Sequence, residues 1–439
     1  APATGGCDPG EPNLYRWSAA GMSLVNLLPG DAVGTPGAAL AAPAGAVSDD
    51  GSRVYFTQAG DLYLREGSTT KQVDDGVGGG GAFEVASRNG AIAYFSRGGH
   101  LYRYDAVPDS STDLTPSGGF QGVLGASADG EWVYYLTATG LFLRQGTSLT
   151  QIAASADAVN YPAATGSARV TPDGRHLAFV ATQSLTGFDN RERNGGGVGV
   201  PGAALRQVYL YAAAADSLLC ASCNPHGEQP LGPSTLPGAY ANGSGPTAPR
   251  AYKPRALSDD GRRLFFDSGD DLALRDKDRS PSRPDPDVYE WEAQGSGTCS
   301  RAGGCIALIS SGRSASGSSF LDASASGSDV FFLTSDSLVG ADTGFADVYD
   351  AREGGGFPEP AKPIACVGDS CQFLPSEPED PQPGTLIASP GNPQLRIVST
   401  RSRTPRCRKG LVRRKGRCIR KGKQRGKSKR KGDRRGARR

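Results

Sequence analysis

Six times along this chain a Ser or Thr opens a four-residue turn that closes on Gly, and a short apolar or aromatic run follows at once. The six are Ser48-Asp49-Asp50-Gly51 before Val54-Tyr55-Phe56, Ser87-Arg88-Asn89-Gly90 before Ile92-Ala93-Tyr94-Phe95, Ser127-Ala128-Asp129-Gly130 before Val133-Tyr134-Tyr135, Thr171-Pro172-Asp173-Gly174 before Leu177-Ala178-Phe179, Ser258-Asp259-Asp260-Gly261 before Leu264-Phe265-Phe266, and Ser324-Ala325-Ser326-Gly327 before Val330-Phe331-Phe332. Asp-Gly and Asn-Gly supply the positive φ of a tight hairpin, and β-branched and aromatic residues behind them suit a buried strand. A second strand pair follows each hairpin, marked by Leu62-Tyr63-Leu64, Leu101-Tyr102, Leu141-Phe142-Leu143, Val208-Tyr209-Leu210, Val288-Tyr289 and Val348-Tyr349. The turn glycines lie 39, 40, 44, 87 and 66 residues apart, so three intervals match a propeller blade and two carry insertions. These features predict an all-β chain, a β-propeller of four-stranded blades with six full repeats. Asn13 to Trp17 and Leu24 to Leu28 read as an N-terminal half repeat, which allows six or seven blades.

The insertions, Asn190 to Pro201, Asn224 to Pro254 and Asp276 to Pro286, are rich in Gly, Pro and Asn and are expected as long loops on one rim. A repeat array also accommodates 439 residues, more than one hydrophobic core supports. With 62 Gly and 31 Pro the composition is that of a turn-rich β protein, and no apolar run is long enough to cross a bilayer as a helix. The repeat resembles that of bacterial TolB-type, WD-repeat-like propellers, with Thr171-Pro172-Asp173-Gly174-Arg175 the nearest match to their turn. The resemblance covers roughly residues 13 to 371. It implies a fold and no particular activity.

Eight of the nine cysteines form local pairs: Cys220 with Cys223, Cys299 with Cys305, Cys366 with Cys371, and Cys407 with Cys418, leaving Cys7. Close pairs in turn-rich segments read as disulfides and place the chain outside the cytoplasm, extracellular or at the cell surface. The sequence opens at Ala1 without a basic-then-apolar leader, so a signal peptide is expected to have been removed or to lie outside it.

Chemistry is sparse. No Gly-x-Ser-x-Gly occurs, and of the three histidines His100 and His176 fall at predicted strands, where packing or a rim position is expected, with His226 in a loop. Cys220-Ala221-Ser222-Cys223-Asn224-Pro225-His226 lacks the His placement of a haem site and the helix of a redox site, and a zinc site needs a fourth ligand from elsewhere, so a structural disulfide is favoured. Acidic turns at Asp259-Asp260, Asp270-Asp271 and Asp342 with Asp347 offer oxygens to Ca²⁺, but turn formation already accounts for them and no cofactor is expected.

The 48 basic and 45 acidic residues are divided unevenly. Residues 401 to 439 hold 21 basic residues against Asp433 alone, net +20, and the remainder holds 27 against 44, net −17. The expected organisation is an N-terminal segment over 1 to 12, a propeller over 13 to 371, a Pro-rich linker over 372 to 400, and a basic tail over 401 to 439. In the tail Cys407 to Cys418 reads as a small closed hairpin, and the last twenty residues are expected to be disordered. Arg408, Lys409, Arg413, Arg414, Lys415 and Arg417 are its candidate polyanion contacts. With no aromatic after Phe373 to stack on bases, nucleic acid is the lesser expectation, and an anionic envelope polymer or lipid head groups the greater. The expected function is a monomeric, non-enzymatic binding scaffold, its rim or channel taking a protein, peptide or glycan. A glycan-active enzyme assembled across the propeller mouth, and nucleic-acid binding through the tail, are the alternatives.

Overall fold

The computed structural model describes residues 12–358, except 20, 32–33, 43, 155–167, 194–201, 238–252, 278–284, 315, 341 and 343, together with 411–414 and 417–420. The chain divides into two units, Ala1–Ala361 and Lys362–Arg439. In the second, Leu411–Arg414 pairs antiparallel with Arg417–Arg420, Arg413 opposite Cys418. Cys7, Cys366, Cys371, Cys407, Arg408, Lys409 and Lys415 lie outside the described residues.

The first unit is a succession of antiparallel sheets, each read inner to outer in chain order, as a propeller requires. Blade 1 contains Ala39–Leu40, Arg53–Gln58, Asp61–Glu66 and Thr69–Gln72, and blade 2 Ala82–Ala86, Ile92–Arg97, His100–Asp105 and Ser110–Asp113. Blade 3 contains Phe120–Ala126, Trp132–Thr137, Gly140–Gln145 and Ser148–Ala153; blade 4 Ala168–Val170, His176–Ala181, Gln207–Ala212 and Ser217–Cys220. Blade 5 contains Ser234–Thr235, Arg263–Ser268, Asp287–Glu292 and Cys305–Leu308. Blade 6 has three strands among the described residues, Ser318–Ala323, Asp329–Thr334 and Asp347–Arg352. Ahead of blade 1 stands the expected half repeat, a hairpin of Tyr15–Ser18 and Gly21–Leu24. Five complete sheets, one of three strands and one hairpin are therefore what the described residues show of the six full repeats and a half.

The repeated turn joins each inner strand to the second, and its residue types have defined tasks. In blade 1 the Ser48 hydroxyl donates to Asp50 Oδ1 at 2.6 Å and accepts the Arg53 N–H at 2.9 Å, while Asp50 Oδ1 accepts the Ser52 N–H at 2.9 Å. The same three bonds recur at Ser127 and Asp129, Thr171 and Asp173, and Ser258 and Asp260. Blade 6 has Ser326 in the Asp position, and its contacts to Ser324 and Ser328 N lengthen to 3.4 and 3.3 Å.

Packing runs between blades. One apolar cluster joins Tyr55 and Leu64 of blade 1 to Phe95 and Tyr104 of blade 2; others join Tyr94 to Tyr135, Tyr134 to Tyr209, and Phe266 to Phe332. Hence the second strand of an internal blade is buried on both faces, as in the run Val133 to Leu136.

The turns also hold the blades together. The second residue of four of the six turns bonds to its counterpart in the next blade: Asp49 N–H to Arg88 carbonyl (2.8 Å), Arg88 to Ala128 (2.8 Å), Ala128 to Pro172 (2.7 Å), and Asp259 to Ala325 (2.8 Å). Pro172 has no N–H to give, which explains the break between blades 4 and 5. A Tyr four residues past the turn Gly reaches the next turn's Gly carbonyl: Tyr55 to Gly90 (2.8 Å), Tyr94 to Gly130 (2.7 Å), Tyr134 to Gly174 (2.6 Å). In blade 5, where that position is Phe265, Arg263 Nη1 makes the reach to Gly327 at 3.0 Å.

Candidate functional site

Among the described residues, two cavities between neighbouring sheets differ in charge. The first, about 240 Å³ between blades 5 and 6, is lined by Arg263, Glu290, Glu292, Arg352 and Glu353 among others. Arg263 has Glu353, Glu292 and Glu290 oxygens at 3.0, 3.5 and 3.7 Å, so its charge is met. Burial, then repulsion from Glu292, lifts the Glu290 carboxyl to about 7, and Arg263 opposes the rise. This arrangement joins two blades and leaves no unbalanced cation.

The second cavity, about 320 Å³, lies between the N-terminal hairpin and blade 1 and is lined by Arg16, Ser23, Leu24, Val25, Val54, Arg65, Gly67 and Ser68. It has two guanidinium groups and no carboxylate among its lining residues. Arg16 comes from the first hairpin strand and Arg65 from the third strand of blade 1, where Val54 is its cross-strand partner. Arg65 Nη1 donates to Thr70 Oγ1 at 2.9 Å. Burial, then the Arg16 charge, lowers the Arg65 guanidinium. Two half-buried cations turned toward one cavity form an arrangement that a bound anion relieves.

A further cationic place lies at the inner strands. Arg169 donates to the carbonyls of Pro254 (2.6 Å), Pro237 (2.7 Å) and Ala168 (2.8 Å). Lys253 is solvent-accessible but hemmed in by protein, and that enclosure, then the Arg169 charge, lowers its ammonium to about 8. Glu84, on the inner strand of blade 2, is raised by burial against the Ser96 hydroxyl bond at 2.7 Å. The described inner strands contain no His and no Tyr.

The residues singled out in the sequence are dispersed. His100 Nδ1 lies 2.9 Å from Asp113 Oδ2 on outer strands of blade 2, and His176 packs under Gly261, its imidazole lowered by burial. Cys220–Cys223 and Cys299–Cys305 are disulfides with Cα separations of 5.4 and 5.6 Å, so the first pair's sulfurs are not free for zinc. Asp260 closes its turn, Asp270 accepts from Leu231 N–H and Asn224, and Asp342 accepts from the Tyr349 hydroxyl. Among the described residues no three His, Cys, Asp or Glu side chains are placed to hold a metal ion. The pair Arg16 and Arg65 had no signal in the sequence, since the two belong to different repeats and to no motif.

No family model and no curated protein matches the chain. Solved structures similar to it include the tricorn protease (11% identity, TM-score 0.41, covering 73% of this chain and 30% of that one). Others are a putative TolB from Agrobacterium tumefaciens (15% identity, TM-score 0.32, covering 65% and 83%) and a putative dipeptidyl aminopeptidase IV from Bacteroides ovatus (13%, 0.33, 75% and 45%). The chain thus spans under a third of the length of the tricorn protease. TolB proteins stand among its structural neighbours, as the repeat implied.

Proposed function

We propose that this chain is a non-enzymatic binding scaffold of the cell exterior, whose propeller takes an acidic glycan or peptide and whose basic tail attaches it to an anionic envelope polymer. The observation that carries the first half is the Arg16 and Arg65 pair facing one cavity with no carboxylate. Guanidinium pairs suit carboxylate, sulfate and phosphate groups by fork geometry. Two disulfides support an oxidising location. Against an enzyme stands the use of the propeller's tyrosine hydroxyls: Tyr55, Tyr94 and Tyr134 on turn carbonyls, and Tyr104, Tyr211, Tyr289 and Tyr349 on Asp109, Asp216, Asp276 and Asp342. Acid–base chemistry needs such groups turned toward substrate.

The test is binding of polygalacturonate and of washed envelopes by the intact chain, by Arg16→Ala with Arg65→Ala, and by a chain with Arg408, Lys409, Arg413, Arg414, Lys415 and Arg417 changed to Gln. The first variant should lose glycan binding and keep envelope retention. The second should keep glycan binding, with its salt dependence of envelope retention reduced by about four in logarithmic slope for six lost contacts. Retention unchanged by the tail substitutions, or glycan binding unchanged by the arginine pair, overturns the corresponding half.

A further inference from the structure

Apart from the break at Pro172, the bonds that join successive blades stop after blade 6 and before blade 1, and what each end lacks complements the other. At one end the Ala325 N–H, whose counterparts in blades 1, 2, 3 and 5 bond to the next blade, has no acceptor among the described residues. Phe331, at the Tyr55 position of blade 6, is 38% exposed, and Leu333 on the same face is 36% exposed. At the other end nothing approaches within 4 Å of a Cβ placed on Gly51, whereas Gly90, Gly130, Gly174 and Gly327 each meet the preceding blade within 3.0 Å.

Among the described residues the N-terminal hairpin, packed against blade 1, lacks the second strand that the blades have. In all six blades a ring on the second strand, five residues past the turn Gly, faces a ring on the third: Phe56 with Tyr63, Phe95 with Tyr102, Tyr135 with Phe142, Phe179 with Tyr209, Phe266 with Tyr289, and Phe332 with Tyr349, centroids 5.1 to 6.0 Å apart. Leu14-Tyr15 has the place of Leu62-Tyr63, yet Tyr15 is 46% exposed, and among the described residues it has no ring partner and its strand is paired on one edge alone. Trp17 beside it is 77% exposed.

We propose that this sector is a strand-addition site for one β-hairpin of defined chemistry: a Ser/Thr-x-Asp/Asn-Gly turn, Tyr four residues past the Gly, and Phe or Tyr at the fifth. Its second strand pairs with the free edge of Tyr15–Ser18, and its aromatic covers Tyr15. Its turn N–H meets the Asp49 carbonyl, its turn carbonyl accepts the Ala325 N–H, and its Tyr hydroxyl donates to the Gly51 carbonyl. The added hairpin continues the interface already present between blades, and main-chain pairing supplies affinity while side chains select.

The probe is a cyclised peptide with the sequence of residues 82–97, which has every required residue: Ser87, Asn89, Gly90, Tyr94 and Phe95. Titrated into the full chain, it should bind saturably and slow hydrogen exchange at Tyr15–Ser18 and Ala325. Tyr15→Ala removes an exposed ring and should weaken binding about fivefold, the value of one aromatic pair. Ala325→Pro should cost a similar factor for one hydrogen bond, and Pro172 in the equivalent place of blade 4 shows that the turn accepts Pro. Melting curves equal to that of the parent keep both readouts valid. Absence of saturable binding overturns the proposal, as does binding indifferent to both substitutions. Protection of the same amides in the free monomer, or their protection through self-association alone, overturns it too.

Discussion

Changing the turn glycines to Ala separates the conformational from the packing role of the repeat. All have positive φ, with Gly51 at 66° and Gly174 at 76°, so Ala in either costs about 1–2 kcal/mol for the left-handed backbone. At Gly51 that is the whole cost, since the new methyl meets open space. At Gly174 the methyl falls 2.6 Å from Trp132 Cβ and Cγ and 2.9 Å from Ser127 Cβ. These atoms sit close to the backbone of blade 3, so blades 3 and 4 must move apart by about an ångström, and overpacking of this kind adds about 1–3 kcal/mol. Gly174→Ala should therefore exceed Gly51→Ala by that amount, with Gly90→Ala, whose methyl lies 2.9 Å from Arg53 Cβ, between them. Urea midpoints with the slope held common measure the difference, and native-state exchange of the Val133 to Leu136 amides localises it, because a chain of stacked blades need not unfold in one step. Equal losses at Gly51 and Gly174 would refute the claim that the turn glycine is required by the preceding blade.

Three further outcomes follow from particular groups. Tyr134→Phe removes a buried hydroxyl from the Gly174 carbonyl and should cost about 1–2 kcal/mol, read by the same urea midpoints, while Tyr15→Phe should cost nothing measurable. Asp50, lowered to about 2 by the Ser48 hydroxyl and then the Ser52 N–H, stabilises the turn above the ordinary carboxyl range and loses that contribution as pH falls toward 2; Asp50→Asn, which keeps the acceptor as Asn89 does in blade 2, should show a shallower loss of urea midpoint between pH 5 and 2. Lys253, an amine lowered to about 8, should acylate faster than the bulk of the lysines at pH 7.5 in a limiting-reagent experiment read by peptide mass spectrometry, and Arg169→Met should slow it by removing a nearby positive charge.

The blades were legible because their chemistry recurs at fixed offsets. Ser48, Asp50 and Gly51 and their counterparts appear in the sequence as a motif, and each has its own bond in the turn. The tyrosines at Tyr55, Tyr94 and Tyr134 were visible as part of an aromatic run, but their reach to the next turn was not, since a hairpin read by itself does not say what its outward face meets. The single rim expected for the insertions holds by topology for two of them: Asn190 to Pro201 and Asp276 to Pro286 each join a second strand to a third. Asn224 to Pro254 instead contains the inner strand Ser234–Thr235 and runs on toward the second strand of blade 5, a connection at the opposite edge of the meander that a reading of the insertion as one loop did not anticipate. The cavity of Arg16 and Arg65 and the nearness of Lys253 to the Arg169 charge were not legible. Each brings together residues from different repeats, or from a loop and a strand, without a spacing rule.

The regular part of the molecule is fully occupied with holding itself together, which restricts where binding can take place. The turn carboxylates of blades 1, 3, 4 and 5 are capped, Arg263 is ringed by three glutamates, and the rings of all six blades are stacked in pairs. A ligand that competed for any of these groups would have to replace an interblade contact before gaining anything from its own. Groups without such obligations lie where the repeat is interrupted: Arg16 and Tyr15 on the hairpin, Lys253 before the second strand of blade 5, and Phe331 on the open face of blade 6. Arg16 and Tyr15 are consecutive residues on one strand, so the anion site and the hairpin site adjoin. A hairpin that ordered the Tyr15–Ser18 strand would fix the Arg16 backbone as well, and anion affinity measured with and without the peptide reads that coupling directly.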